Sequence, residues 1–241
     1  PLAAPGAGAA AAGAAAPVAA VQVAQAPPAL PAGQRGQRID LPRADPQTQD
    51  VKIPVGAEPD GSAVSLDATV IAPAQEGRHP AVLLAHGFGG SKADLVDRAR
   101  ELASAGYVTL IYTARGFGAS GGRIHLDDPD FEVADARTLL DHLATRADVQ
   151  LDGVGDPRVG VAGGSYGGAL ALMLAGSDPR VDAVASAITW HDLANALVPG
   201  RRGAQDGVFK RRWASLLFSS AVNAAPRTTP VGPINVCGRF D

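Results

Sequence analysis

Two uninterrupted apolar runs, residues 80–86 (Pro-Ala-Val-Leu-Leu-Ala-His) and 107–113 (Tyr-Val-Thr-Leu-Ile-Tyr-Thr), constrain this chain more than any other feature. Strands that alternate polar and apolar residues keep one face in water, whereas unbroken runs of this length require both faces to be covered. A helix-length segment lies between the two runs, with Ser91 placed to cap a helix through Ala105 and Gly106 placed to end it. The pattern then repeats. A helix is expected over about 130–146, with Phe131, Val133, Ala134, Leu139, Leu140 and Leu143 near helical spacing; then come a strand at 158–162, a helix from Ser165 to about Ala175 and a strand at 181–189. Two earlier strands, 49–55 and 63–72, flank a turn at Gly61. This alternation implies right-handed crossovers and a doubly wound, mostly parallel α/β sheet, with ligands beyond the carboxyl ends of its strands.

Three regions follow from composition. Residues 1–47 read as an Ala/Pro/Gly-rich leader or linker, since residues 1–34 carry no acidic or basic side chain and cannot bury enough surface to order themselves. The small-residue sites Val18-Ala19-Ala20 and Ala24-Gln25-Ala26 also fit the remnant of a secretory signal, without its basic n-region, so export and a cytoplasmic location both stay open. Residues 48–189 form the α/β core. Residues 190–241 mix Trp190, Trp213, Leu216, Leu217 and Phe218 with Arg201, Arg202, Lys210, Arg211 and Arg212, and are expected to be helical cap structure over the active-site edge. The core is read as the N-terminal half of its domain, with the cap incomplete and the C-terminus truncated. A net charge of -3 gives no reason to expect nucleic acid as a partner, and no run reaches the apolarity of a membrane span. The single cysteine, Cys237, leaves no internal disulfide and no Cys-based zinc site, and no cofactor or metal is expected.

The chemistry is carried by Gly163-Gly164-Ser165-Tyr166-Gly167. In a chain with 29 glycines a bare G-x-S-x-G is weak, but here it follows an apolar strand and opens a helix, the setting of a nucleophile elbow. Ser165 is therefore the expected nucleophile. A tetrahedral intermediate needs two aimed N–H donors, for which the amides of Tyr166 and Phe88 are the candidates, the latter in His86-Gly87-Phe88-Gly89-Gly90 after the strand at 80–86. His86 is expected to support that loop rather than act as base. Ser91 and Ser120 are read as a helix cap and a loop residue, and Arg115 as a loop organiser. The triad order Ser, acid, His leaves His191 as the one histidine after the serine, one strand early and before a credible acid. The acid and base are accordingly expected beyond Asp241.

Together these residues resemble the α/β-hydrolase superfamily. Gly164-Ser165-Tyr166-Gly167-Gly168 and Arg115-Gly116-Phe117-Gly118-Ala119-Ser120-Gly121-Gly122 are similar to the elbow and the glycine loop of the X-prolyl dipeptidyl-peptidase and cocaine-esterase-like acyl hydrolases. In that group a tyrosine often stands at Phe88 and an aspartate precedes the Arg-Gly loop, where this chain has Thr113-Ala114. The resemblance implies an acyl ester or peptide substrate and an acyl-enzyme on Ser165. A prolyl dipeptidyl-peptidase, an acyltransferase and a non-catalytic binding domain are the alternatives.

Overall fold

The computed structural model describes residues 45–190, 192–199 and 208–215. The expected leader at 1–47 lies outside them up to residue 44, and the first strand opens at Gln47. Six strands form the main sheet: β1 (Gln47–Val55), β2 (Val64–Ala72), β3 (Ala81–Ala85), β4 (Val108–Thr113), then, after the small strands β5 (Leu151–Gly153) and β6 (Asp156–Pro157), β7 (Val159–Gly164) and β8 (Val181–Ala187). The order across the sheet is β1-β2-β4-β3-β7-β8. β1 and β2 pair antiparallel, as do β2 and β4; β4, β3, β7 and β8 run parallel. The doubly wound, mostly parallel sheet read from the apolar runs is thus the observed one.

Every residue of β4 is buried, as its unbroken run requires. One face of the sheet is covered by α1 (Val96–Ser104), whose Ala99 and Ala103 pack with Ile71, Leu84 and Ile111. The helix starts later than Ser91. Ser91 caps a single 3-10 turn at Lys92–Leu95, its hydroxyl accepting from the Ala93 amide while the Asp94 carboxylate accepts from the Ser91 amide. Gly106, at φ 99°, ends α1 as its place in the sequence implied.

The other face carries α2 (Glu132–Ala144) and α3 (Tyr166–Ser177). Leu139, Leu140 and Leu143 of α2 are fully buried, each worth about 1.5–3 kcal/mol relative to exposure. β7 reaches two residues past Ala162 because Gly163 and Gly164 continue the pairing with β8. β8 stops at Ala187, where Ile188 turns the backbone to φ 44°. Beyond it the described segments hold α4 (Leu193–Leu197), capped by Asp192 through the Asn195 amide, and a helical turn at 211–215.

A groove of about 890 Å³ lies on the α1 face, lined by Val82, Leu84, Leu95, Leu102, Tyr107 and Ala162 among others. Ser165 does not line it. Among the described residues no helix is long and apolar enough to cross a membrane.

Candidate active site

From β3 the chain crosses to β4 on one side, and from β4 it returns past β3 to β7 on the other. The divergence opens a crevice beyond the carboxyl ends of β3 and β7, the place where ligands bind in sheets of this kind. Ala85 and Gly163 are register partners at those ends, so the loop after β3 and the turn after β7 are neighbours. The first contributes 86–90 and the second Ser165.

Ser165 lies between β7 and α3 with φ 55° and ψ -117°, a backbone conformation that non-glycine residues seldom adopt. Such a residue carries strain of about 1–3 kcal/mol and persists only where its surroundings over-determine it. Here they do. The Ser165 amide donates to the Ala187 carbonyl at 2.9 Å, and its carbonyl accepts from the Thr189 hydroxyl at 2.7 Å and the Ala169 amide at 3.0 Å. The two outer glycines of the motif are required by close approach. A Cβ on Gly163 would meet the Gly167 carbonyl, and one on Gly167 would run into the Ala85 carbonyl and sit 2.8 Å from the His86 carbonyl oxygen.

The loop after β3 is held by His86, which is 3% exposed. Its Nε2 accepts from the Ala114 amide at 2.9 Å, which leaves Nδ1 to donate to the Gly87 carbonyl at 2.7 Å. Both ring nitrogens are therefore spent on backbone, and burial holds the imidazole below its ordinary pKa. A neutral ring with no free nitrogen supports a loop and is not a base. Thr113 and Ala114 serve the same corner: the Thr113 hydroxyl accepts from the Lys92 amide at 3.1 Å, and its carbonyl accepts from the Ser120 hydroxyl at 2.6 Å.

Phe88 packs edge-on against Tyr166, ring centroids 5.6 Å apart, and both meet Phe117. Among the described residues neither the Phe88 nor the Tyr166 amide donates to a protein acceptor. No hydrogen bond of the Ser165 hydroxyl to another described residue is found either, and His191 and Asp241 lie outside the described residues.

Reading the sequence missed a set of buried polar side chains around the start of α2. Arg115, 1% exposed, forms a bidentate pair with Asp135 at 2.6 and 2.7 Å, reaches Glu58 at 3.2 Å and lies over the Phe131 ring. It organises the loop, as expected. His125 stacks on Phe131 and contacts Glu58 Oε2 through Nε2 at 2.8 Å. Glu132 accepts from the Tyr166 hydroxyl at 3.1 Å and from the amides of His125 and Asp128. Burial raises the Glu132 carboxyl above its ordinary range, and burial together with the nearby Glu132 charge raises Asp127 further. The available signal was the acids at 132 and 135 interleaved with the buried positions Val133, Ala136 and Leu139.

Sheet order, the strained serine and the paired loops define an α/β hydrolase. The family described as X-Pro dipeptidyl-peptidase (S15 family) matches residues 60–230, and the chain belongs to it. Among curated proteins, the quorum-quenching protein AidA of Acinetobacter baumannii is 29% identical over 58% of this chain and 45% of its own length. The uncharacterized protein YcjY of Escherichia coli is 30% identical over 50% of this chain and 40% of its own. A hypothetical protein from Pseudomonas aeruginosa superposes with a TM-score of 0.53 at 26% identity, covering 72% of this chain and 51% of that one. The α/β hydrolase GrgF of a Penicillium species superposes at 0.50 and 23% identity over 74% of this chain and 54% of its own, a likeness of fold alone. The chain spans less than half the length of the curated relatives it matches.

Proposed function

We propose that this hydrolase cleaves a carboxylic ester or amide through an acyl-enzyme on Ser165. The observation that carries the reading is the strained backbone of Ser165 at the crevice between β3 and β7. A serine held at such cost, at the carboxyl edge of the sheet, is accounted for by attack and not by packing. In the first step Ser165 Oγ bonds to the acyl carbon and its proton passes to a base; collapse of the tetrahedral adduct breaks the bond to the alcohol or amine, which leaves with that proton. Water then attacks the acyl-enzyme, releasing the acid and restoring the hydroxyl. The amides of Phe88 and Tyr166 are assigned to the oxyanion, consistent with their lack of other acceptors among the described residues. His191, four residues after the end of β8, is the one histidine after Ser165 in this chain, one strand early for the base in the usual triad order. The segment from 190 onward is assigned as a cap over the crevice.

Family membership favours a second reading on the same machinery, a peptidase that removes an N-terminal Xaa-Pro dipeptide. Phe88 brings no phenol hydroxyl to the oxyanion and leaves that task to backbone amides in either reading.

The test is fluorophosphonate labelling of the full-length protein, followed by p-nitrophenyl esters against Xaa-Pro-p-nitroanilides. Labelling is expected on Ser165 and absent in Ser165→Ala. A protein that stays unlabelled, or labels equally well in Ser165→Ala, defeats the reading.

A further inference from the structure

The buried polar side chains around the start of α2 divide into two groups by what they hold. Arg115, Asp135, Glu58 and His125 satisfy one another, the Gly56 carbonyl and the Arg123 amide, and so form a structural set. Glu132 is different. Its Oε1 accepts from the His125 amide at 2.7 Å and the Tyr166 hydroxyl at 3.1 Å, and its Oε2 accepts from the Asp128 amide at 3.0 Å. The Tyr166 oxygen in turn accepts from the Asp127 amide at 3.2 Å. One carboxylate from the first turn of α2 thus ties the 125–128 loop to the first residue of α3.

That residue directly follows Ser165. Its ring is 2% exposed and is gripped along its length, by Phe88 at 5.6 Å and 81° and by Phe117 at 5.8 Å, with the hydroxyl pinned at the far end. A phenol ring has two torsions, and three fixed contacts leave neither free. The same side chain touches Phe88, whose amide is the other assigned oxyanion donor. The two donors come from different loops, and Tyr166 is the solid piece between them.

We propose that Glu132 is a positioning residue for catalysis: by fixing the Tyr166 hydroxyl it sets the aim of the Tyr166 and Phe88 amides at the oxyanion. The proposal rests on Ser165 being the nucleophile. Charge development is stabilised only by donors already aimed, and a displacement of about 1 Å at such a site can cost as much as 100-fold in rate. A role confined to stability would lower the melting temperature and leave turnover per labelled site unchanged.

The experiment uses full-length protein with active sites counted by fluorophosphonate titration. Tyr166→Phe keeps the ring and removes the hydroxyl; Glu132→Ala removes the anchor; Glu132→Gln keeps a carbonyl that can accept. The first two are expected to lower kcat about 10- to 100-fold with KM within about twofold, and Glu132→Gln to recover most of that loss. The double variant Tyr166→Phe/Glu132→Ala is expected to be no slower than the worse single variant, because both changes break the shared Tyr166–Glu132 contact. Independent, multiplicative losses overturn the proposal, as does wild-type kcat in Tyr166→Phe. A second arm needs no turnover: 15N relaxation of the Phe88 and Tyr166 amides. Their order parameters are expected to fall in Tyr166→Phe while those of β4 hold. Unchanged values at both amides overturn the proposal even in a protein that never labels, whereas loss of labelling in the wild type counts against the nucleophile assignment alone.

Discussion

At the scale of single residues, this molecule concentrates cost around one turn. Ser165 holds a left-handed backbone, and Leu126 and Asp127 do so as well, at φ 59° and 62°. Asp127 adds a second burden. Its carboxyl is 1% exposed and, among the described residues, neither oxygen has a hydrogen-bond partner. Burial dominates its upward pKa shift and the Glu132 charge adds to it, with the Tyr166 hydroxyl close by working the other way. A carboxyl raised on folding binds its proton more tightly in the folded chain. Its stabilising effect is fullest below the unfolded value near 3.8 and is lost as pH rises towards the folded value, by up to about 1.4 kcal/mol per pH unit between them. Asp127→Asn, which needs no proton, is therefore expected to melt higher than wild type at pH 7–8. The advantage should shrink as pH falls towards 4. Thermal melts across that range decide it: an advantage independent of pH, or a less stable variant at pH 8, contradicts the assignment.

At the scale of elements, the close approach of α3 to β3 is set by glycine. Gly167 lies where any side chain meets the Ala85 and His86 carbonyls, whereas Gly176, near the end of the same helix, has nothing within 4 Å of its would-be Cβ. Gly167→Ala is expected to destabilise by about 1–3 kcal/mol or more, because backbone cannot step aside as a side-chain tip can. Gly176→Ala should be neutral or stabilising by about 0.5–1 kcal/mol through lost chain entropy. Denaturant midpoints of the two variants give the comparison, and equal effects would contradict it. The same contrast explains what could be read beforehand. β3 and β4 were visible as unbroken apolar runs, and Ser165 as a serine between glycines at a strand-to-helix boundary. The hairpin of β5 and β6 was missed, since three residues and two residues around Val154-Gly155 leave no periodicity to detect. Glu132 and Asp135 were passed over for a different reason. Charged residues at buried helix positions look like the solvated face until their partners, which are distant in sequence, are known.

At the scale of the whole molecule, the sheet is well covered on one side and unevenly on the other. β1 and β2 close one edge as an antiparallel pair, and β8, the last strand described, is paired only with β7 among the described residues. Asp182, which could discourage pairing, instead accepts from the Val159 amide at 2.8 Å. What remains from Ala183 to Ala187 carries no charge, and Val184 is 39% exposed. Uncharged edges without lysine or proline recruit other strands. The 241-residue chain is expected to associate with increasing concentration, and Val184→Lys to reduce that association, as measured by sedimentation velocity. A chain that sediments as a monomer across the range, or a lysine variant that associates equally, rules the edge out.

The placing of β7 against β3 also dictates when in the life of the chain chemistry becomes possible. The loop with Phe88 leaves the ribosome long before Tyr166, and the strands β4, β5 and β6 and the helices α1 and α2 intervene before β7 can dock beside β3. Closing so long a loop is among the slow steps of folding for a sheet of this topology. Until it closes, Ser165 and the Tyr166 amide stand apart from the Phe88 amide, and the site proposed for acyl transfer is not assembled. On the function proposed above, catalysis waits for β7 to dock beside β3, and the fold is then its own safeguard against premature hydrolysis during synthesis.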